Sequence, residues 1–192
     1  MTRKNKHTIV ALVEDRPGVL NRIVSKVRQR NFNIESLAVG HSETPGLSRM
    51  TFVVDASTTD VEQVVKQVDK LIEVVRIRDI SEEDHLSREL AMIKVATTPA
   101  TRGEIIQIVD VFRAAIVDVS SDSLIVEVTG EEDKVDSLIR ILEPYGIREL
   151  ARTGRISMVR GHHGVTISEQ DEEELEMPHY RGTRAPISTT SY

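Results

Sequence analysis

The stretch Glu14-Asp15-Arg16-Pro17-Gly18 carries the residue types best suited to chemistry in this chain. An apolar run over 8–13 precedes it, and Leu20, Ile23, Val24 and Val27 follow it at helical spacing. A turn that opens a helix aims backbone N–H groups at whatever lies before it, which favours an anion such as a carboxylate. Gly18 has no side chain to keep a ligand off the backbone. Asp15 could meet an ammonium group, and Asn33 offers a donor and an acceptor near the start of a second apolar run. Together these suit a free amino acid, which has one anionic and one cationic end. The same residues equally suit a bare turn and helix start, with Pro17 in the first helical turn and Asp15 or Arg16 at the cap.

Little else in the chain points to chemistry. There is no cysteine, which removes thiol nucleophiles, disulfides, Fe–S clusters and cysteine zinc sites. His162-His163 has no third ligand at useful spacing, so no metal is expected. No G-x-G-x-x-G, G-K-S/T, G-x-S-x-G or H-E-x-x-H occurs. Paired carboxylates recur in the polar stretches over 81–88 and 169–176, where nothing fixes a geometry for acid–base work. The 192 residues include 25 Lys and Arg against 31 Asp and Glu, a net charge of −6 that argues against a nucleic-acid partner. No apolar run reaches the roughly 18 residues of a spanning helix, and the N-terminus lacks a signal-peptide core. A soluble cytoplasmic protein with no membrane partner is expected.

The elements that must position the turn alternate in a regular order. Strands are expected over 8–13, 34–39, 50–54 and 74–80, the middle pair joined by the hairpin loop H-S-E-T-P-G. One helix carries Leu20 to Val27, and a second follows the capping box Thr59-Asp-Val-Glu62. This is βαββαβ, and the order repeats. Strands over 90–96, 115–119, 124–128 and 147–152 enclose two further helices, the first behind a capping box Thr101-Arg-Gly-Glu104. A last strand over 155–159 is joined to its predecessor at Thr153-Gly154, and 81–88 reads as a polar linker.

The fold class is therefore α+β, with two ferredoxin-like βαββαβ units. Two right-handed crossovers put both helices on one face of each antiparallel sheet. The first strand is apolar on both faces, Ile9, Ala11 and Val13 against Val10 and Leu12. The face without helices then needs a second cover, from oligomerisation or from one unit packing on another. Past Gly161 the pattern fails, and six acidic residues fall within 169–176. That composition cannot offset ordering entropy, so a disordered acidic tail is expected. The expected domains are 5–82, 83–161 and the tail 162–192.

Several segments in one order carry a family resemblance: L-V-E-D-R-P-G-V-L-N-R-I over 12–23, N-F-N-I-E-S-L-A-V-G over 31–40, L-S-R-M-T over 47–51, L-S-R-E-L-A-M-I-K-V over 86–95 and E-P-Y-G-I-R-E-L-A-R-T-G over 143–154. Over residues 5–161 the chain resembles the small regulatory subunits of acetolactate (acetohydroxyacid) synthase. The resemblance implies an N-terminal ACT domain, an amino-acid-sensing module, followed by a C-terminal ferredoxin-like domain. It implies a large catalytic partner subunit that carries thiamine diphosphate, Mg²⁺ and FAD and condenses pyruvate with a second 2-keto acid. The small subunit itself does no chemistry and holds no cofactor. It activates the large subunit and confers feedback inhibition by valine, sometimes leucine or isoleucine, in branched-chain amino acid biosynthesis. Effector sites in the family lie between the ACT domains of a homodimer. By motif match they fall here on Asp15, Gly18, Val19, Leu20, Asn33 and Ile34. The second unit has no Pro-Gly turn and is assigned no effector site.

Two other readings share the element order. A ferredoxin-like nucleic-acid-binding module would stack bases on aromatic residues of the central strands, which here supply only Phe52. A small hydrolase of acylphosphatase type would need a further positioned polar cluster, and the sequence offers none.

Overall fold

The computed structural model of the chain describes residues 6–29, 32–55, 61–161 and 164–167. It divides into two compact units, Met1–Leu86 with Ser157–Tyr192, and Ser87–Ile156.

The first unit runs β1 (Lys6–Glu14), α1 (Val19–Gln29), β2 (Asn33–His41), β3 (Leu47–Asp55), α2 (Val61–Val68) and β4 (Val74–Asp79). The strands form an antiparallel sheet in the order β2-β3-β1-β4. Period-2 alternation sends Ile9, Ala11 and Val13 of β1 to one face, where they meet Met50, Phe52 and Val54 of β3. Onto that face α1 lays Val19, Ile23 and Val27, and α2 lays Val61, Val64 and Val68. Both triads follow helical spacing, so each helix buries a single stripe.

The other face of this sheet is where an expectation is corrected. Val10 is buried against Ile80, Val165 and Val159 of the same chain. The boundary expected at 162 therefore falls inside the first unit: Val165 is 3% exposed. One valine in an acidic, unpatterned stretch gave no periodic signal, yet burying it stabilises by about 1.5 kcal/mol. Thr59 and Asp60 of the first capping box, the pair His162-His163 and residues 168–192 of the expected tail lie outside the described residues.

The strand β5 (His85–Ala96) is followed by α3 (Arg102–Val111), β6 (Ala115–Val119), β7 (Ser123–Gly130), α4 (Glu132–Leu142), a 3₁₀ turn (Glu143–Tyr145), β8 (Ile147–Arg152) and β9 (Ile156–Val159). The order is β6-β7-β5-β8, with β9 also pairing β5. The second unit has its own core, built on Ile93, Val95, Ile105, Val109, Leu124, Val126, Val135 and Leu138.

Three local expectations change. The polar stretch expected as a linker over 81–88 is already strand from His85, and its Arg88 pairs with Glu131. Thr101 precedes α3 but makes no side-chain cap. The reciprocal box sits three residues earlier, where Thr98 Oγ1 accepts from Thr101 N–H at 3.2 Å and Thr101 Oγ1 accepts from Thr98 N–H at 3.0 Å. Pro99 follows Thr98 at the first position of that turn, where no donor is needed. Finally, neither Asp15 nor Arg16 caps α1. Gly18 does, its carbonyl accepting from Arg22 N–H at 3.0 Å.

The two sheets share their irregularities as well as their order. A bulge falls at Leu12/Val13 between β1 and β4, and at Lys94/Val95 between β5 and β8. Another falls between Ile34 and Ser36 on β2, and between Ile116 and Asp118 on β6. The repetition therefore extends from element order to the bulges.

Candidate functional site

The turn after β1 is fastened on both sides by backbone bonds. Glu14 N–H donates to the Glu73 carbonyl at 2.8 Å, and Asp15 N–H donates to the Gly46 carbonyl at 2.9 Å. It is thus pinned between the entry to β4 and the hairpin loop joining β2 to β3. Side chains add a second layer. Glu14 and Glu73 are each only 5% exposed. Arg16 stands 2.6 Å from the Glu14 carboxylate, and Arg22, on the first turn of α1, pairs with Glu73. Two carboxylates that would be costly to bury alone are each matched by a guanidinium reaching in from the exposed side.

Above this charged base the turn is open. Gly18 has φ +89°, a conformation L side chains rarely adopt, and a Cβ added there would meet nothing within 4 Å. Glycine has no side chain with which to cap α1, so the first N–H groups of the helix receive none from that position. Asp15 is exposed, its Oδ2 3.1 Å from Nδ1 of exposed His41. Leu20 is also exposed, next to the turn. Val19 is buried in the core, which leaves only its backbone to face a ligand.

Asn33 and Ile34 are elsewhere. The register sets Asn33 level with Asp55 and Lys6, eight residues along β1 from Glu14. At about 3.3 Å per residue that is roughly 25 Å from the turn. The expectation that Asn33 lies near the turn is corrected for a single chain: α1 carries the backbone to the far end of the sheet before β2 begins. Asn33 is exposed there and Ile34 is half-buried against the core. Glu73 and Arg22 went unnoticed in the sequence, and Arg16 was read only as a possible cap. The one signal for Glu73 was a charge inside the apolar stretch Leu71-Ile72-Glu73-Val74-Val75.

Among the described residues, no group of three His, Asp or Glu could hold a metal ion, and no helix is long and apolar enough to cross a membrane.

Comparison with known proteins gives the family. Residues 9–76 match the family model for the ACT domain of acetohydroxyacid synthase small subunits, and residues 88–161 match that for the small subunit of acetolactate synthase. A probable acetolactate synthase small subunit of Archaeoglobus fulgidus is 54% identical over 157 residues, 82% of this chain and 98% of that protein. The acetolactate synthase small subunit of Mycolicibacterium smegmatis is 51% identical over 159 residues, 83% of this chain and 94% of that one. The crystal structure of the Thermotoga maritima small subunit is 39% identical, covers 82% of this chain and 99% of its own, and superposes with a TM-score of 0.75. With both units matched in order and relatives half identical over most of its length, the chain belongs to the acetolactate synthase small subunit family and carries an ACT regulatory domain.

Proposed function

We propose that this chain activates the catalytic subunit of acetolactate synthase and confers feedback inhibition by valine, bound at the turn between β1 and α1. The observation that carries this reading is the open Gly18 corner above two buried, paired carboxylates. The helix start offers N–H groups to an amino-acid carboxylate, and Asp15 offers its charge to an ammonium. Asn33 and Ile34 of the same chain are too far away to join. They complete the site only if a second copy supplies them, so the functional unit is a homodimer with each site shared. Exposed backbone at β2, an edge of the first sheet, suits such pairing.

The chain does no chemistry in this reading and binds no cofactor. Thiamine diphosphate, Mg²⁺ and FAD belong to the large subunit, in the cytoplasm. Valine acts by shifting the large subunit between states, which takes a coupling of about 1–3 kcal/mol. The nucleic-acid alternative loses its one candidate residue, because Phe52 is fully buried on the helix face.

The test is reconstitution with the large subunit. The intact chain raises acetolactate formation and makes it valine-sensitive. Calorimetry with and without the large subunit then finds two different valine affinities, as linkage requires. A chain that leaves both rate and valine response unchanged would falsify the proposal.

A further inference from the structure

On the face of the first sheet that the helices leave open, Val10 is covered in part by a short piece of this same chain. Val10 is 1% exposed and packs against Ile80, Val165 and Val159. Arg49 lies on the same face, level with Leu12 across the β1–β3 ladder. Its Nη2 donates to the Val165 carbonyl at 2.8 Å and to the Glu43 carboxylate at 3.1 Å. Glu43 belongs to the 42–46 hairpin loop. A backbone hydrogen bond, with the Arg49 charge beside it, holds its carboxyl below the ordinary range against a smaller opposing effect of burial. The same loop ends in Gly46, whose carbonyl receives the Asp15 N–H. One guanidinium therefore joins the 164–167 segment to the loop that pins the turn. The family model for the second unit stops at residue 161, so the 164–167 segment lies beyond it.

We infer that residues 164–167 form a strap docked on the outer face of the first sheet, and that Arg49 makes the strap a control on the effector turn. The occupant of this face is the chain's own segment: Val165 supplies the apolar contact and its carbonyl supplies the polar one. Docking stands independently of the functional proposal. The control rests on the reading of the turn as the valine site.

The experiment uses the full chain and two single changes. Val165→Asp puts a carboxylate among Val10, Ile80 and Val159, whereas Thr166→Asp puts the same charge on an exposed neighbour. Val165→Asp lowers the melting midpoint by about 5 °C and speeds amide exchange in β1, while Thr166→Asp shifts melting by about 1 °C or less. A chain ended after Gly161 melts like Val165→Asp, and one ended after Ile167 melts like the intact protein. Equal melting of Val165→Asp and Thr166→Asp overturns the docking. For the control, Val165→Asp and Arg49→Gln each weaken valine binding by about threefold or more in calorimetry, and Thr166→Asp leaves it unchanged. Lowered melting with native valine affinity in both variants overturns the control and leaves the docking in place. An intact chain that binds no valine ends the effector reading, and the control with it.

Discussion

The corresponding turns of the two units show what a shared fold leaves undetermined. Each follows the first strand, opens the first helix and lies beside a bulge two residues before the strand ends. In the second unit the turn satisfies itself. Thr98 and Thr101 exchange hydroxyl bonds with each other's N–H groups, and the Thr98 carbonyl takes Arg102 N–H at 3.0 Å. In the first unit the corner is Gly18, with no side chain to give, and the anchoring is done below it by Glu14, Glu73, Arg16 and Arg22. One helix start is closed by neutral hydroxyls. The other is held rigid from beneath and left open above. A binding site on this scaffold is a matter of which groups the turn leaves unspent.

Breaking the open turn has the largest expected effect. Gly18→Asp places a side chain at positive φ and a negative charge where a carboxylate is expected, and like charges at close range cost several kcal/mol. Valine binding falls by about a hundredfold or more, while the variant still activates the large subunit. An unchanged valine titration places the site elsewhere.

The proposed sharing of the site between two chains gives a second test. Gly18→Asp and Asn33→Ala each abolish valine binding alone. Mixed in equal amounts and allowed to exchange, they form hybrids with one intact and one doubly broken site, restoring about a quarter of the sites. No recovery, with exchange confirmed by mass spectrometry, shows that the halves do not come from two chains.

Buried charge sharpens the comparison further. Arg22→Ala strands Glu73, and Arg152→Ala strands Glu89, which is equally buried in the second unit. Each costs about 3 kcal/mol in urea unfolding. Only Arg22→Ala also weakens valine binding, since only Glu73 lies under the open turn. The smallest effect belongs to the closed turn: Thr98→Ala costs about 1 kcal/mol and leaves the valine response intact. A valine response that changes in Thr98→Ala gives the second unit a role in sensing.

The repeated βαββαβ order was legible because each strand and helix stripe is an unbroken apolar pattern, as in β1 and α2. Errors came where pairing, not periodicity, decides. Arg88 read as linker, but it lies in β5 and pairs there with Glu131. The box before α3 was sought with a glutamate at its third position, and Thr101 plays that part for Thr98. At the site, Asp15 and Gly18 stood out as turn residues next to a helix. Asn33 was assigned to the same place because fifteen residues is short in sequence, but an eleven-residue helix displaces the chain by about 16 Å. Arg22 and Glu73 are 51 positions apart and belong to no local motif, so only the fold brings them together.

If Gly18 and Asn33 are halves of one valine site, as proposed, their separation along β1 bears on dosage. A receptor whose two halves sit at opposite ends of one domain is mute as a single molecule, however much ligand surrounds it. Each valine captured then also joins two subunits, so ligand and assembly reinforce each other by mass action. The apparent valine affinity therefore tightens as the chain becomes more abundant. On that reading, a cell that makes more of this subunit gains more brakes, and each brake responds to less valine.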